Sequence, residues 1–404
     1  MIDGIFAGLK VLELGGGAAG PISTRYFADQ RATVVRVESV RRPDFLRLLH
    51  WKPGTPGGVD ASLHFACLNA NKRSVALDLT LAEGRAVARR LALWADVVAE
   101  SFAPGTMARW GLDWPSLAGD RPDLVMVSTC LYGQTGPERE YAGFGGQGSA
   151  IAGFNHLTGW PDREPVGPFG AITDSLSPRA AALLVGTALL HRRRTGRGRH
   201  VDLSQVEVGV YCLAEATGTF DANGTVLGRM GYRSPHAAPH AVLPARGDDR
   251  WVTVVCHDDE DWRRLRAALG DPDWARDPEL DTVSGRLARA DDVEARLADW
   301  TRERSPGDIA EHLQANGVEA GIVADFGDLH EDPQLAFRAH FRRLAHPVIG
   351  EHAVETGAIR FSDAADREPA RAPLLGEHTE EVLCGLLGMS GDEYRALDAK
   401  GVLR

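Results

Sequence analysis

At 404 residues, 44% apolar and 25% charged, with a net charge of −11, the chain has the make-up of a globular protein of two or three domains, and its acidic balance argues against a general nucleic-acid binder. Five scattered cysteines form no C-x-x-C pair, which signals neither a zinc knuckle nor a disulfide framework and fits free thiols in a reducing cytoplasm. The N-terminus shows no basic-then-apolar leader, and the longest apolar run, Ala180 to Leu190, is too short to span a bilayer, so a cytoplasmic protein with no membrane partner is expected.

The first predicted element is KVLEL, a short buried strand. Gly15-Gly16-Gly17-Ala18-Ala19-Gly20 follows, then a plausible helix and a second strand, TVVRVE, ending in Glu38. This is the order of a βαβ unit with a G-x-G-x-x-G turn, and an acid at that spacing stands where a ribose-binding residue would be. Pro21 points the other way: it suits a helix start but offers no N–H to a pyrophosphate. Further strands are predicted at SVALDL, DVVAES and LVMVST. Helices fit between them, notably Leu81 to Trp94, where apolar residues recur at helical spacing. The alternation predicts an α/β, Rossmann-like large domain with a mostly parallel sheet covered on both faces.

Residues 136–175 are rich in Gly and Pro and lack periodicity, a feature of functional loops. A helix is predicted next, with Ser177 as N-cap and Pro178 as first helical residue, running to Gly196. Asp174 lies just ahead of it. The helix N-terminus would favour its ionised form, which could act as a covalent nucleophile or merely contribute to the cap. The basic run His191 to His200 reads as cations at a helix C-terminus closed by Gly, with phosphate contact as the alternative. RHVDLS is a further strand, and Gln205 to Ala216 a further helix.

Residues 220–250 read as a loop. WVTVVC is then predicted as a strand, Asp258 to Leu269 as a helix with an acidic first turn, and 290–330 as two helices and a strand, GIVADF. The expected domains are a large one over 1–220, a small α+β one over 221–330, and an extended 331–404 segment. That segment ends in a helix, Thr379 to Leu387, and packs on the large domain or a partner subunit. His236 and His240 have i, i+4 spacing, but Pro235 and Pro239 oppose a helix there, so no metal site is expected. HDDED, His257 to Asp261, reads as a helix start rather than a metal cluster.

Several segments, taken in order, then carry a likeness: AGP (Ala19 to Pro21), VVRVES (Val34 to Ser39), NANKRSVALDL (Asn69 to Leu79), SFAPGTMARWGL (Ser101 to Leu112), YGQTGP (Tyr132 to Pro137), TDS around Asp174, RRRTGRGRHVDLSQ (Arg192 to Gln205) and LGEHTEEVL (Leu375 to Leu383). Over essentially its whole length the chain resembles the class III CoA-transferases, and Gly153 to Asp174 looks most like the benzylsuccinate branch. The resemblance implies that the βαβ unit holds coenzyme A, with neither NAD nor metal. It places Asp174 at the nucleophile's position. It implies an enzyme that moves CoA from an acyl-CoA such as succinyl-CoA to a small carboxylic acid, an aryl or alkyl dicarboxylate in that branch. The intermediates would be aspartyl anhydrides and an aspartyl-CoA thioester.

For oxyanion stabilisation the resemblance points to backbone N–H groups of Gly145, Gly146 and Gln147, with plain turn geometry as the alternative. For CoA it implies Arg36, Asn71, Lys72, Arg73, Phe102 and Arg109; a solvated or salt-bridged surface is the alternative for Arg36 and Arg109. Two residues depart from the pattern: Ser101 stands where the class commonly has Asn, and Cys130 where the formyl-CoA branch has Lys. The α-methylacyl-CoA racemases of the same superfamily use a His in a G-H-D segment; here the segment is Gly143-Phe144-Gly145, and Phe is neither acid nor base. Racemase is the alternative reading, and a non-catalytic subunit of a hetero-oligomeric transferase a third. Class members form interlocked dimers, which implies a homodimer here, or an assembly with a related sister subunit.

Overall fold

Six strands, β1 (Lys10–Leu14), β2 (Thr33–Glu38), β3 (Arg73–Ala76), β4 (Val97–Glu100), β5 (Val125–Cys130) and β6 (His200–Ser204), make one all-parallel sheet in the order β3-β2-β1-β4-β5-β6. They belong to a computed structural model that describes residues 3–49, 52–362 and 368–404; part of the expected C-terminal segment, residues 363–367, lies outside the described residues. The chain divides into two units. One holds the sheet and comprises the described parts of 1–155, 167–227 and 334–404; the other comprises 156–166 and 228–333.

The strands read as Val- and Leu-rich runs because the sheet is buried on both faces. With a side-chain period of two, neighbours in sequence enter opposite cores. Val11, Val34, Val97 and Val125 pack on one face with Phe27, Ala181 and Val185. Leu12, Val35, Val98 and Met126 pack on the other with Val87, Leu91, Val382 and Leu383. Each fully buried aliphatic side chain contributes about 1.5–3 kcal/mol, so these two cores clamp the layers. The first face carries α1 (Ala19–Asp29), the second α2 (Ala82–Trp94). Strand order reverses between β1 and β4, the place where open α/β sheets leave a crevice at their C-terminal edge.

Beyond β5 the chain forms α3 (Gly145–Ile151), α4 (Ile172–Thr195) and α5 (Gln205–Cys212). α4 begins ahead of its predicted N-cap, and Pro178 lies inside it. Proline there removes one donor, leaving the Asp174 carbonyl without its intrahelical partner, and the Ser177 hydroxyl bonds the Thr173 carbonyl at 2.7 Å instead of capping. The predicted helix Gln205 to Ala216 is broken at Leu213, and a second helix covers Ala214–Asn223. α4 ends as predicted at Thr195, with Gly196 in the left-handed conformation.

The 331–404 segment, expected to be extended, contains an antiparallel hairpin, Phe341–His346 with Gly350–Glu355. The chain then covers the outer edge of β3. His378 N–H bonds the Ser74 carbonyl at 2.9 Å, Ala76 N–H the Thr379 hydroxyl at 3.0 Å, and Asp78 N–H the Val402 carbonyl at 2.8 Å. An edge strand with unpaired amides is thereby protected. The predicted helix Thr379 to Leu387 is a π-helical turn, Glu381–Leu386, and the last helix is Gly391–Ala399.

The second unit holds three antiparallel strands, His240–Pro244, Trp251–Val255 and Glu319–Ile322. Helices Asp259–Ala268, Ala290–Arg302 and Pro306–Ala315 pack with them around Val252, Val254, Trp262, Leu297, Ile309 and Leu313. The first strand falls in the span read as a loop; it is short and ends on Pro244, which masks its pattern. The third stops at Ile322, so most of GIVADF lies beyond it. HDDED starts a helix: the Asp258 carboxylate accepts from the Glu260 and Asp261 N–H groups, each at 2.9 Å. The five cysteines are free thiols, and no helix among the described residues is long and apolar enough to cross a membrane.

Candidate active site

Asp174 sits in the first turn of α4, its N–H bonded to the Ala171 carbonyl at 2.9 Å. Its carboxylate lies against Gly145 at the start of α3, and the Gly145 N–H and the side chain of Gln205, at the start of α5, both favour its ionised form. Three chain segments therefore meet on one carboxylate. Each is fixed locally. The Thr173 hydroxyl bonds the Gly145 carbonyl at 3.0 Å, and the Ser204 hydroxyl caps α5 by accepting from Glu207 N–H at 3.2 Å. Gly145 is required by closeness: a Cβ there would lie 2.5 Å from Asp174 Cγ and 2.6 Å from Ala171 Cβ. Gly148, one turn on, would place a Cβ 2.6 Å from the Thr173 hydroxyl. The two glycines give α3 a flat face that lies directly on α4.

Burial raises the Asp174 carboxyl above the ordinary Asp range, and the Gln205 amide and Gly145 N–H offset this only in part. The expectation that a helix N-terminus would set its ionisation is corrected: desolvation dominates. A more basic carboxylate, held by two neutral donors, is a better nucleophile than a solvated one. The first intrahelical bond of α3 runs from Gly148 N–H to the Phe144 carbonyl at 3.0 Å. The N–H groups of Gly145, Gly146 and Gln147 therefore precede the ladder. Gln147 also turns its side chain back to accept from Phe144 N–H at 3.0 Å. Gln205, buried at 7% exposure, has no role that its sequence context alone suggests. The one available signal is its place immediately after a Ser N-cap at the C-terminal edge of a parallel sheet.

The glycine turn after β1 is filled from within. Gly17 N–H donates to both oxygens of Asp44, at 3.2 and 3.3 Å. Gly15 and Gly20 are small because the Ser101 hydroxyl occupies the space a Cβ would take; that hydroxyl donates to the Gly16 carbonyl at 3.1 Å. The anion a dinucleotide turn would cradle is thus replaced by a carboxylate of the chain itself. Glu38, at the ribose position, is equally committed: it pairs with Arg47 Nε and Nη2 at 2.8 Å each and accepts from the Ser74 hydroxyl at 2.7 Å.

Two expected CoA contacts are corrected by the same cluster. Arg36 is 0% exposed and ion-paired to Glu13 and Asp44, with Glu38 at 3.6 Å. Strand register places Glu13 opposite Arg36. Lys72, 3% exposed, donates to Glu13 at 2.8 Å, the Pro21 carbonyl at 2.8 Å and Asn69 at 3.0 Å, which uses all three ammonium protons. Burial would raise Glu13, but Lys72 and Arg36 outweigh it and hold the carboxyl at about 2. Removing one member of such a buried pair strands its partner at a cost of about 3–5 kcal/mol, so these two cations act as structure. Asn71 has a structural task too. With φ of 66°, it donates to Asp29 at 2.7 Å and accepts from Ala370 N–H at 2.6 Å.

The other expected residues are more open. Arg73 meets Glu381 at 3.1 Å with both half exposed. Phe102 is half-buried after β4, edge-on to Trp110 at 5.1 Å, and Arg109 is exposed, donating to the Thr106 hydroxyl at 2.8 Å. Cys130 does not replace a lysine's charge, since burial pushes its thiol up to about 12.

Glu100, at the end of β4, is a buried acid with no distinguishing mark in the sequence. It is 4% exposed and accepts from Phe102 N–H at 2.9 Å. Burial raises it from 4.5 to about 7, with Asp202 adding to the effect and the Ser128 and Phe102 bonds opposing it. A folded-state pKa above the unfolded one gives stability that is full below the unfolded value and lost as pH rises through the folded one. Urea unfolding of the wild type and Glu100→Gln is the measurement. Between about pH 5 and pH 8 the wild type is expected to lose on the order of 3 kcal/mol relative to the variant; a pH-independent difference would refute this.

Comparison with known proteins gives a consistent result. The profile of CoA-transferase family III matches residues 6–379. The succinyl-CoA–D-citramalate CoA-transferase of Chloroflexus aurantiacus is 33% identical over 98% of this chain and 97% of its own length. The beta subunit of succinyl-CoA–L-malate CoA-transferase from the same organism is 31% identical over 98% of each chain. Among solved structures, a CAIB/BAIF family protein from Brucella suis superposes with a TM-score of 0.86 at 32% identity, covering 95% of this chain and 100% of that one.

Proposed function

The chain belongs to CoA-transferase family III, and on that premise we propose that it moves CoA from succinyl-CoA to a carboxylic acid acceptor through covalent intermediates on Asp174. The observation that carries the proposal is the setting of Asp174: a half-buried carboxylate in the first turn of α4, packed against the glycine face of α3 and raised above the ordinary Asp range by burial. The relatives named for succinyl-CoA support that donor.

In the first step the Asp174 carboxylate attacks the thioester carbonyl; the C–S bond breaks, leaving a mixed anhydride and CoA thiolate. The thiolate then attacks the aspartyl carbon of the anhydride, releasing succinate and forming the aspartyl-CoA thioester. An acceptor carboxylate attacks that thioester to give a second anhydride and thiolate. The thiolate finally takes the acceptor's acyl carbon and restores the Asp174 carboxylate. Each step trades one activated acyl group for another, so no ATP is consumed. The tetrahedral oxyanions need donors at their own positions, and the N–H groups of Gly145, Gly146 and Gln147 suit that role because they precede the α3 ladder. For CoA, the open residues Arg73, Phe102 and Arg109 remain the proposed contacts, Phe102 and Arg109 lying on the segment that leaves β4 beside the crevice.

The proposal extends to a homodimer working in a reducing cytoplasm. Exposed Leu183, Leu190, Tyr211 and Phe220 support a further subunit, since lone chains seldom leave so much apolar surface in water. The test of function is acyl-enzyme trapping: incubation with succinyl-CoA, quenching with hydroxylamine, and peptide mass spectrometry. A hydroxamate at Asp174 is expected. No modification with succinyl-CoA or several other acyl-CoAs, despite measured CoA binding, would count against the proposal. Solvent deuterium at an acyl-CoA α-carbon would instead point to a racemase.

A further inference from the structure

Thr173 stands directly before Asp174, as the second residue of α4, and is 0% exposed. A threonine inside a helix commonly turns its hydroxyl back to a carbonyl three or four positions earlier. Here those carbonyls lie outside α4, and the hydroxyl instead crosses to α3, donating to the Gly145 carbonyl at 3.0 Å. The side chain is keyed into two glycines. A Cβ on Gly148 of α3 would lie 2.6 Å from its hydroxyl oxygen, and a Cβ on Gly209 of α5 3.3 Å from its methyl carbon. The methyl, seated on α5, fixes the stiff χ1 of a β-branched side chain with the hydroxyl turned to α3. The Thr173 carbonyl is held as well, by the Ser177 hydroxyl at 2.7 Å. One buried residue thus ties together the three segments that meet at Asp174, and the residue it grips, Gly145, is the one the Asp174 carboxylate packs against.

We propose that Thr173 is a positioning residue for CoA exchange: its hydroxyl latches the start of α3 onto α4 and so fixes where the Asp174 carboxylate stands. The proposal rests on the nucleophile role of Asp174 and deepens it. Thr173 acts through Gly145, not on the reacting atoms. The latch needs an oxygen at that place. A hydroxyl sits 3.0 Å from a carbonyl oxygen because its proton lies between the two, whereas a carbon there needs about 3.3 Å or more. Valine has the shape of threonine, so it would keep the seat on Gly209 and push the start of α3 outward. A close-packed interior passes such a shift on to its neighbours, and a small displacement at a reacting group is felt strongly in the rate.

The test follows exchange of labelled succinate into succinyl-CoA, which runs the covalent cycle without a second acceptor, in Thr173→Val, Thr173→Ala and Thr173→Ser. Thr173→Val and Thr173→Ala are expected to lower kcat about tenfold with KM for succinyl-CoA within about twofold of the wild type, and Thr173→Ser to keep kcat within about threefold. Alanine is too small to overpack, so its variant reports even if valine disturbs folding. Urea unfolding of each variant separates the latch from a role in stability alone: Thr173→Ser, which leaves the seat on Gly209 empty, is expected to lose stability while keeping its rate. Wild-type kcat in Thr173→Val and Thr173→Ala overturns the proposal. So does a Thr173→Ser as slow as Thr173→Val, a raised KM with kcat unchanged, or rates that fall in step with the unfolding midpoints of all three variants. Hydroxylamine trapping on the wild type separates the two levels. No hydroxamate at Asp174 sinks the nucleophile reading and the latch with it, whereas a hydroxamate with unaltered kcat in Thr173→Val and Thr173→Ala sinks only the latch.

Discussion

Replacing Asp174 by alanine is expected to lower kcat for CoA exchange by about 10³-fold or more, while the folded protein becomes no less stable at neutral pH. The rate loss follows from the covalent route: without the carboxylate there is no anhydride and no thioester, and binding alone supplies little exchange. The stability expectation follows from burial. The folded pKa of Asp174 is raised, so what the group contributes to stability is full below its unfolded pKa and lost as pH rises through the folded one. Above that folded pKa its ionised form is a burden on the fold, and alanine relieves it. A structural acid would move both quantities the same way. Exchange assays from succinyl-CoA, paired with urea unfolding, make the distinction. A variant that keeps a tenth of the wild-type rate would remove Asp174 from the chemistry. The same cause predicts the pH profile: acyl-enzyme formation slows as pH falls through a value above the ordinary Asp range, because only the anion attacks.

The second large effect is expected at Gly145. Gly145→Ala would put a Cβ 2.5 Å from Asp174 Cγ and 2.6 Å from Ala171 Cβ, closer than packed atoms come. Either the carboxylate rotates off the Gly145 and Gln205 donors or the start of α3 lifts away from α4. A displacement near 1 Å at a reacting group costs about 10²-fold in rate, so a loss of that order is expected. Gly186→Ala is the control: it lies on the nucleophile's own helix, α4, with open space around its Cβ position. It removes a helix-interior glycine, so it should raise stability by up to about 1 kcal/mol. Near-normal exchange by Gly145→Ala would mean that the contact between α3 and α4 does not set the nucleophile's position.

Both experiments rest on features of different legibility. Asp174 stands out in the amino-acid sequence alone, by its place ahead of a strong helix and by the segments the chain shares with a known class. Its chemistry is less legible. A linear reading ties its pKa to the helix end, yet it answers to burial under α3 and to Gln205, which sits 31 positions along the chain (205 − 174). The helix start is misleading in the same way, because Ser177-Pro178 has the composition of a cap while the first turn begins at Ile172.

What the sequence by itself determined is the set of properties carried by near neighbours. Runs such as VLEL and VVRV are strands in any context that buries both faces; a glycine turn joins the first of them to a helix; Gly196 ends α4; Asp258 caps its helix. Each depends on residues within a turn or a strand of one another, and each is readable for that reason. What only the tertiary structure decided is the state of the charges. The resemblance implies Arg36 and Lys72 as contacts for CoA, with a salt-bridged surface as the alternative for Arg36. The fold gives them Glu13, Asp44 and Asn69 instead, residues from separate segments that the parallel register and the turn after β2 bring to one point. The physical reason is that a buried charge gains or loses several kcal/mol according to what lies within a few ångströms of it. Sequence neighbours seldom supply that partner, so only the folded chain decides whether a cation is spent inside or left for a ligand.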